Sequence, residues 1–417
     1  MSALRSSLWD SGAIELSHAN FRWYNEGPIP FSSRCVVWLE TARCLFPLHR
    51  RSRATMAPRK KSGTRSRGQV DSEKKILQLD REILKLINER AKAFQRWAKT
   101  VGDLPGGIDE LALTDLIERS RGPLDEGSIR AIFQALMSGS KGLLSKTRVA
   151  YLGPQHSYSH QAAMHFFGSG HDLVPATTIA SVFDEVNRHQ VNFGVVPLEN
   201  STDGRVTDTL DKLVKIPVRI CGEVQLRIHH YLLAKCPRGQ ITEVYSKPQA
   251  LSQCRDWLGR HMPGTRLVEM ASTAAAAKLA SEKKGAAAIA SRMAGVQYGL
   301  DVIESDIEDN KSNTTRFAVI GESSPPKTSN DKTSLMFEIS HRPGALADAM
   351  MAFKTCRLNL TWIESFPMPE SKNEYFFFVE FEGHETSSKV KKVLKELEEI
   401  TSRHVVLGSY PRSQPVE

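Results

Sequence analysis

Residues 313–316 read Asn-Thr-Thr-Arg and run straight into an apolar stretch, Phe317 to Ile320. That stretch has the length of a short buried strand, so two hydroxyls and a guanidinium, Thr314, Thr315 and Arg316, stand at its mouth. A hydroxyl is a neutral hydrogen-bond donor, and a guanidinium is a fixed cation that forks onto carboxylates. Side by side they suit a site that holds an acidic ligand and donates to a group leaving it. A loop satisfying its own backbone would use the same residue types. A second apolar run, "FGVVPLEN", closes on Glu199 and Asn200 and is followed by Ser201. Ser157, Tyr158 and Ser159 open the stretch "HQAAMHFF", where free N–H groups at a helix start take either a capping hydroxyl or a carboxylate. Gln249 follows Pro248 at the start of another helical stretch, placed for a ligand contact.

The elements that position these residues can be read from periodicity. From 147 to 321 strands such as "VAYLG" and "DLVPA" alternate with helices such as "TIASVFDEVNRH", capped near Thr178. Such alternation predicts parallel sheet with helices on its faces. Two runs of it, joined by "GEVQLRIHHYLLAK", predict two lobes with a cleft beyond the carboxyl ends of the strands. Residues 322–332, "ESSPPKTSNDK", have the composition of a linker. From 333 to 411 the order is βαββαβ, a ferredoxin-like α+β arrangement. Ahead of the lobes, 71–146 are helical: Ile76, Leu79, Ile83, Leu86, Phe94, Trp97 and Val101 recur at steps of three and four. Arg90 lies on that stripe and needs a partner, often a carboxylate. "LPGG" (104–107) ends the helix, and two more follow around 108–120 and 125–145. Such a unit needs a partner copy to bury its faces.

The chain has 417 residues and a net charge of +9. Residues 1–70 hold 12 Lys/Arg and 4 Asp/Glu, against 44 and 43 in the remainder. The excess belongs to a basic Ser/Gly-rich leader, read as disordered, and Met56 is an alternative initiator. A nearly neutral remainder argues against nucleic acid as a partner. No run of about 18 apolar residues occurs, so no transmembrane helix is expected. Six scattered cysteines without paired spacing point away from disulfides and zinc, and toward a cytoplasmic protein.

Taken together, "YLGPQHSYSHQAA" (151–163), "VVPLENSTDGRV" (195–206), "KPQALSQC" (247–254), "ASRMAGVQYGL" (290–300) and "NTTRF" (313–317) resemble prephenate dehydratase. "RPGAL" (342–346) and "NLTWIESFP" (359–367) resemble the phenylalanine-binding motifs of an ACT domain. The helical unit resembles, more weakly, the chorismate mutase fused to this enzyme in bacterial P-proteins. The resemblance spans about 71–411 and implies a multidomain protein. Its middle would be a two-lobed α/β catalytic domain of the periplasmic-binding-protein kind. Its regulatory ACT domain would be ferredoxin-like.

Prephenate loses carbon dioxide and water to become phenylpyruvate. Decarboxylation supplies the electrons, so no metal or organic cofactor is implied. The hydroxide must leave as water, so a donor must reach it in the transition state. The resemblance places the essential threonine at Thr315, with Glu199, Asn200 and Ser201 as the other catalytic residues. Ser157, Tyr158, Ser159, Gln249, Thr314 and Arg316 would bind substrate, Arg316 by pairing with a carboxylate or by bracing the loop. Lys247 stands where the family usually has histidine. L-Phenylalanine would bind at Gly344, Ala345, Leu346, Asn359, Leu360, Glu364 and Ser365, in a homodimer or homotetramer, and inhibit. Two departures, Phe366 for arginine and Arg357 for glycine, bear on its affinity. In the helical unit Arg90 and Ser140 match the mutase pattern, but Val101 and Leu144 stand where a lysine and a Gln or Glu are usual. Neither can donate to an ether oxygen, so weak or absent mutase activity is expected. A fully bifunctional chorismate mutase/prephenate dehydratase and an arogenate dehydratase are the alternative readings, and a pure amino-acid sensor a more distant one.

Overall fold

A computed structural model describes residues 67–101, 109–144, 147–340, 342–367 and 375–416. The internal start at Met56 and the break at 104–107 lie outside them, as does the basic leader up to residue 66. Residues 67–70, read as the end of that leader, already belong to a helix.

The apolar periodicity at the start folds as α1 (Arg67–Val101), followed by α2 (Glu110–Arg119) and α3 (Glu126–Gly142). Asp109 and Asp125 cap the two shorter helices by accepting from Ala112 N and Ser128 N. The stripe of α1 stays largely open, with Ile76, Ile83, Leu86 and Trp97 each at least half exposed. Among the described residues no helix is long and apolar enough to cross a membrane.

The first lobe runs through β1 (Arg148–Leu152), α4 (Tyr158–Phe167), β2 (Asp172–Ala176), α5 (Ile179–Asn187), β3 (Phe193–Asn200), β4 (Gly204–Arg205), α6 (Thr207–Lys215) and β5 (Arg219–Arg227). The second holds β6 (Tyr231–Ala234), β7 (Glu243–Ser246), α7 (Pro248–Gln253), α8 (Arg255–His261), β8 (Arg266–Glu269), α9 (Thr273–Glu282), β9 (Ala286–Ala290), α10 (Arg292–Tyr298) and β10 (Asp301–Glu304). The chain then returns to the first lobe as β11 (Thr314–Gly321). Its sheet has the order β16-β5-β11-β3-β1-β2, with β16 (Pro415–Val416) at one edge, and the second sheet is β10-β6-β9-β7-β8.

Both sheets are mixed, where alternation predicted parallel ones. β1, β2 and β3 are parallel, but β11 runs antiparallel to β3 and β5, and β6 antiparallel to β9 and β10. The chain crosses between lobes twice, and the return crossing brings its strand back in the opposite sense.

The last segment is β12 (Asp331–Ile339), α11 (Ala345–Thr355), β13 (Leu360–Pro367), β14 (Tyr375–Glu382), α12 (Ser388–Ile400) and β15 (Arg403–Pro411). Its sheet has the order β13-β14-β12-β15, all neighbours antiparallel. Asp331 and Lys332, read as linker, are buried strand residues. Alternation along the strands makes both faces bury. Leu335, Phe337, Val379 and Phe381 pack with Phe353 and Leu397 of the helices. Met336, Phe376, Phe378 and Tyr410 join Leu198, Leu210 and Ile220 of the first lobe. Each ring buried there contributes about 1.5–3 kcal/mol, so this sheet is fastened to the lobe that carries Thr315. Arg357 adopts a left-handed conformation, φ 54°. That is the backbone for which the family's usual glycine is suited.

Candidate active site

Antiparallel pairing of β3 with β11 sets Asn200 opposite Thr315 and Glu199 opposite Arg316. The two polar strand ends read separately in the sequence are therefore one place. Asn200 is buried, and its Nδ2 donates to Thr315 Oγ1 at 2.8 Å and to Asn313 Oδ1 at 2.9 Å. Its Oδ1 accepts from the backbone N–H groups of Thr202 and Asp203, at 3.0 and 3.1 Å. Backbone N–H groups only donate, so the sense of the Asn200 amide is fixed. Thr315 Oγ1 accepts from Asn200 and keeps its own proton for another acceptor. Ser201 closes the turn: its Oγ accepts from Thr314 N at 2.9 Å, and its N–H donates to Thr314 O at 2.9 Å.

Arg316 has the geometry of a brace. Its guanidinium meets Glu199 at 2.8 Å, Glu223 at 3.3 Å and both oxygens of Glu380 at 2.7 Å. Glu223 and Glu380 are almost wholly buried. Lys332 reaches them at 2.5 and 3.0 Å. Burial alone would raise the Glu380 pKa, but Lys332 and Arg316 hold that carboxyl below its ordinary value. Burial likewise works against the Arg316 charge, and Glu380 and Glu223 outweigh it. Trp362 of β13 lies against the guanidinium, 5.7 Å from ring centre.

Ser157 is the N-cap of α4: its Oγ accepts from His160 N and donates to Leu152 O. Ser159 is buried in the first turn. Tyr158 reaches the crossing between lobes, where its hydroxyl donates to His229 O at 2.8 Å and lies 3.2 Å from His230 Nδ1. Burial pushes the Tyr158 hydroxyl well above its ordinary pKa and the His230 ring below its own. Gln249 donates to Asp203 across the lobes. The two crossings are also joined: Glu308 accepts from His230 N at 2.9 Å and sits 2.9 Å from His229 Nδ1, with Asp306 beside it.

Sequence reasoning missed Asn313, Gln253, Asp203, His230 and the carboxylates Glu223 and Glu380. Asn313 precedes the threonine pair directly, and the two histidines mark the joining segment, so both had a local signal. Glu380 had none, because an alternating strand gives no hint of a cation opposite.

The other predicted residues are apart from this cluster. Arg90 donates to Ser140 Oγ at 2.9 Å and is 3.4 Å from Leu136 O, so a hydroxyl and a carbonyl stand where a carboxylate was expected. Gly344, φ 84°, precedes α11, whose first residues are Ala345 and Leu346. Asn359 O accepts from Glu382 N ahead of β13, which carries Leu360, Glu364 and Ser365. Glu364 does not stand alone: Arg205 of β4 donates to it at 2.5 Å.

A family model for prephenate dehydratase matches residues 149–325. The bifunctional chorismate mutase/prephenate dehydratase of Pseudomonas aeruginosa is 38% identical over 351 residues, covering 81% of this chain and 96% of that protein. The chain belongs to the prephenate dehydratase family. Prephenate dehydration is its activity. The bifunctional relative from Aquifex aeolicus is 39% identical over 350 residues, covering 82% of this chain and 97% of its own. Among solved structures, prephenate dehydratase from Arthrobacter aurescens in complex with L-Phe has a TM-score of 0.61 at 31% identity, covering 65% of this chain and 92% of that one. The prephenate dehydratase from Staphylococcus aureus has a TM-score of 0.56 at 29% identity, covering 63% and 100%.

Proposed function

We propose that prephenate is dehydrated between the two lobes, beside the ends of β3 and β11, with Thr315 as the donor to the leaving hydroxide. The observation that carries this is the Asn200–Thr315 hydrogen bond, because it orients the hydroxyl while leaving its proton available. Asn200 and Ser201 hold the loop, and Glu199 holds Arg316, so that β11 cannot slide. A threonine is a weak acid, so its part is a positioned hydrogen bond that strengthens as charge develops on the departing oxygen. Tyr158, Ser159, Gln249 and Thr314 line the approach. Loss of the ring carboxylate as carbon dioxide drives out the hydroxide, and the ring becomes aromatic. Prephenate turnover by Thr315→Ala tests this reading.

The two lobes with two crossings support a periplasmic-binding-protein kind of catalytic domain at 147–321. The βαββαβ order supports a ferredoxin-like ACT domain after a linker that ends where β12 begins. The relative solved with L-Phe supports phenylalanine as the regulatory ligand of that domain, in a homodimer or homotetramer. The helical domain, 71–146, we read as a dimerisation or coupling element with weak or absent mutase turnover. Arg90 and Ser140 are together in it, but Val101 and Leu144 offer no donor. A cytoplasmic location fits a biosynthetic enzyme of this family.

A further inference from the structure

Asp203 stands in the exposed loop after β3, in the first lobe. Its Oδ2 accepts from the side-chain amides of Gln249 and Gln253, both on α7 of the second lobe, with Gln253 Nε2 at 2.8 Å. One exposed carboxylate thus bridges the lobes.

The bridge also has a direction. A carboxylate only accepts, so Gln253 must turn its –NH2 toward Asp203 and its carbonyl inward. That Oε1 accepts from Asn313 Nδ2 at 3.2 Å and lies 2.9 Å from His230 Nε2. Asn313 must then present its Oδ1 to Asn200 Nδ2, at 2.9 Å. Asn200 is held from the other side by two backbone N–H groups, and its second hydrogen goes to Thr315. If Gln253 flipped, Asn313 would face an –NH2 and flip in turn, setting its own –NH2 against that of Asn200. The chain tolerates only one sense, set at its inner end by the backbone N–H groups on Asn200 and held at its outer end by the Asp203 carboxylate.

We infer that Asp203 is a positioning residue for the dehydration: its acceptor oxygen holds the outer end of the chain that runs through Gln253, Asn313 and Asn200 to Thr315, in the sense the backbone sets at Asn200, and ties α7 to the strands that carry Thr315. This rests on the reading of Thr315 as donor. It assigns to an exposed carboxylate an effect on rate rather than on stability. Small misplacements of a catalytic group cost up to about a hundredfold in rate.

The test is steady-state prephenate turnover by the full chain, with the thermal midpoint recorded for each variant. Asp203→Ala should lower kcat by about tenfold or more and change KM far less, because the interaction acts on transition-state geometry. Its thermal midpoint should stay at the wild-type value. Asp203→Asn should recover much of the loss, since its amide oxygen still accepts. Gln253→Leu should match Asp203→Ala, and the double variant should lose no more than either, as links in series do. Should Gln253→Leu fail to fold, the Asp203 pair decides alone. Wild-type kcat in Asp203→Ala beside an inactive Thr315→Ala would overturn the inference and leave the site reading intact. An active Thr315→Ala would overturn that reading itself. A raised KM with unchanged kcat, or additive losses, would also overturn the positioning role.

Discussion

Arg316, next in the chain to Thr315, is gripped by Glu380 of the C-terminal sheet through both carboxylate oxygens at 2.7 Å. The C-terminal sheet therefore holds the strand of Thr315 directly. A second ion pair, Arg205 with Glu364 at 2.5 Å, joins the same sheet to β4, which pairs with Glu199 and Asn200. Whatever moves the C-terminal sheet must move both flanks of the site.

Glu380→Gln should lower kcat while leaving the fold intact, because Gln keeps the shape and loses the charge opposite Arg316 and Lys332. Removing one partner of a buried pair costs about 3–5 kcal/mol when a charge is stranded. Here Glu223 and Glu199 still compensate, so the thermal midpoint should fall by less than for Arg316→Met. An unchanged kcat in Glu380→Gln would separate the sheet from catalysis.

Four wholly or partly buried histidines give the stability a pH dependence. Burial is the first cause lowering the pKa of His156, His160, His171 and His230 from 6.5. The unfolded chain takes up protons near that value and the folded chain resists them, so stability is full above it and lost as pH falls below it. The thermal midpoint should drop between about pH 7 and 5, and His230→Gln should flatten the slope. A midpoint rising toward acid would contradict this.

Much of the site was legible because chemistry clusters at strand ends. "NTTRF" and "ENS" each announce polar groups at the close or start of an apolar run, and strand pairing joined them. Thr178 and Ser157 as caps follow from local rules. What could not be read was long-range: that Arg316 would meet Glu380, or that Gln249 would meet Asp203. The sense of β11 was also hidden, since periodicity fixes a strand and says nothing of its direction. Arg357 is a different case. Only the resemblance singled it out, and the backbone explains why.

Chorismate should be consumed far more slowly than prephenate. Arg90 donates its hydrogen bonds to Ser140 Oγ and Leu136 O, and Val101 and Leu144 add no donor. Parallel assays on chorismate, prephenate and arogenate decide it. A chorismate rate equal to the prephenate rate would mean that another cation of α1, such as Lys74 or Lys75, serves, and Arg90→Ala should then abolish it.

L-Phenylalanine should bind the C-terminal segment and inhibit, with coupling of about 1–3 kcal/mol. Gly344 has φ 84°, a conformation that a β-branched residue resists, so Gly344→Val should weaken binding. Calorimetry and turnover with added phenylalanine read the two effects separately. Binding without inhibition would keep the site and discard the coupling through Glu364 and Glu380. No binding at millimolar ligand would discard both.

The central claim is that Thr315 donates to the leaving hydroxide. The most direct measurement is phenylpyruvate formation from prephenate by wild type, Thr315→Ser and Thr315→Ala, with folding checked by circular dichroism. Loss of one such donor in a dry site costs about two to three orders of magnitude. Thr315→Ala should be essentially inactive yet folded and able to bind prephenate, and Thr315→Ser should keep more activity because the hydroxyl survives. Near-wild-type turnover in Thr315→Ala would contradict the account.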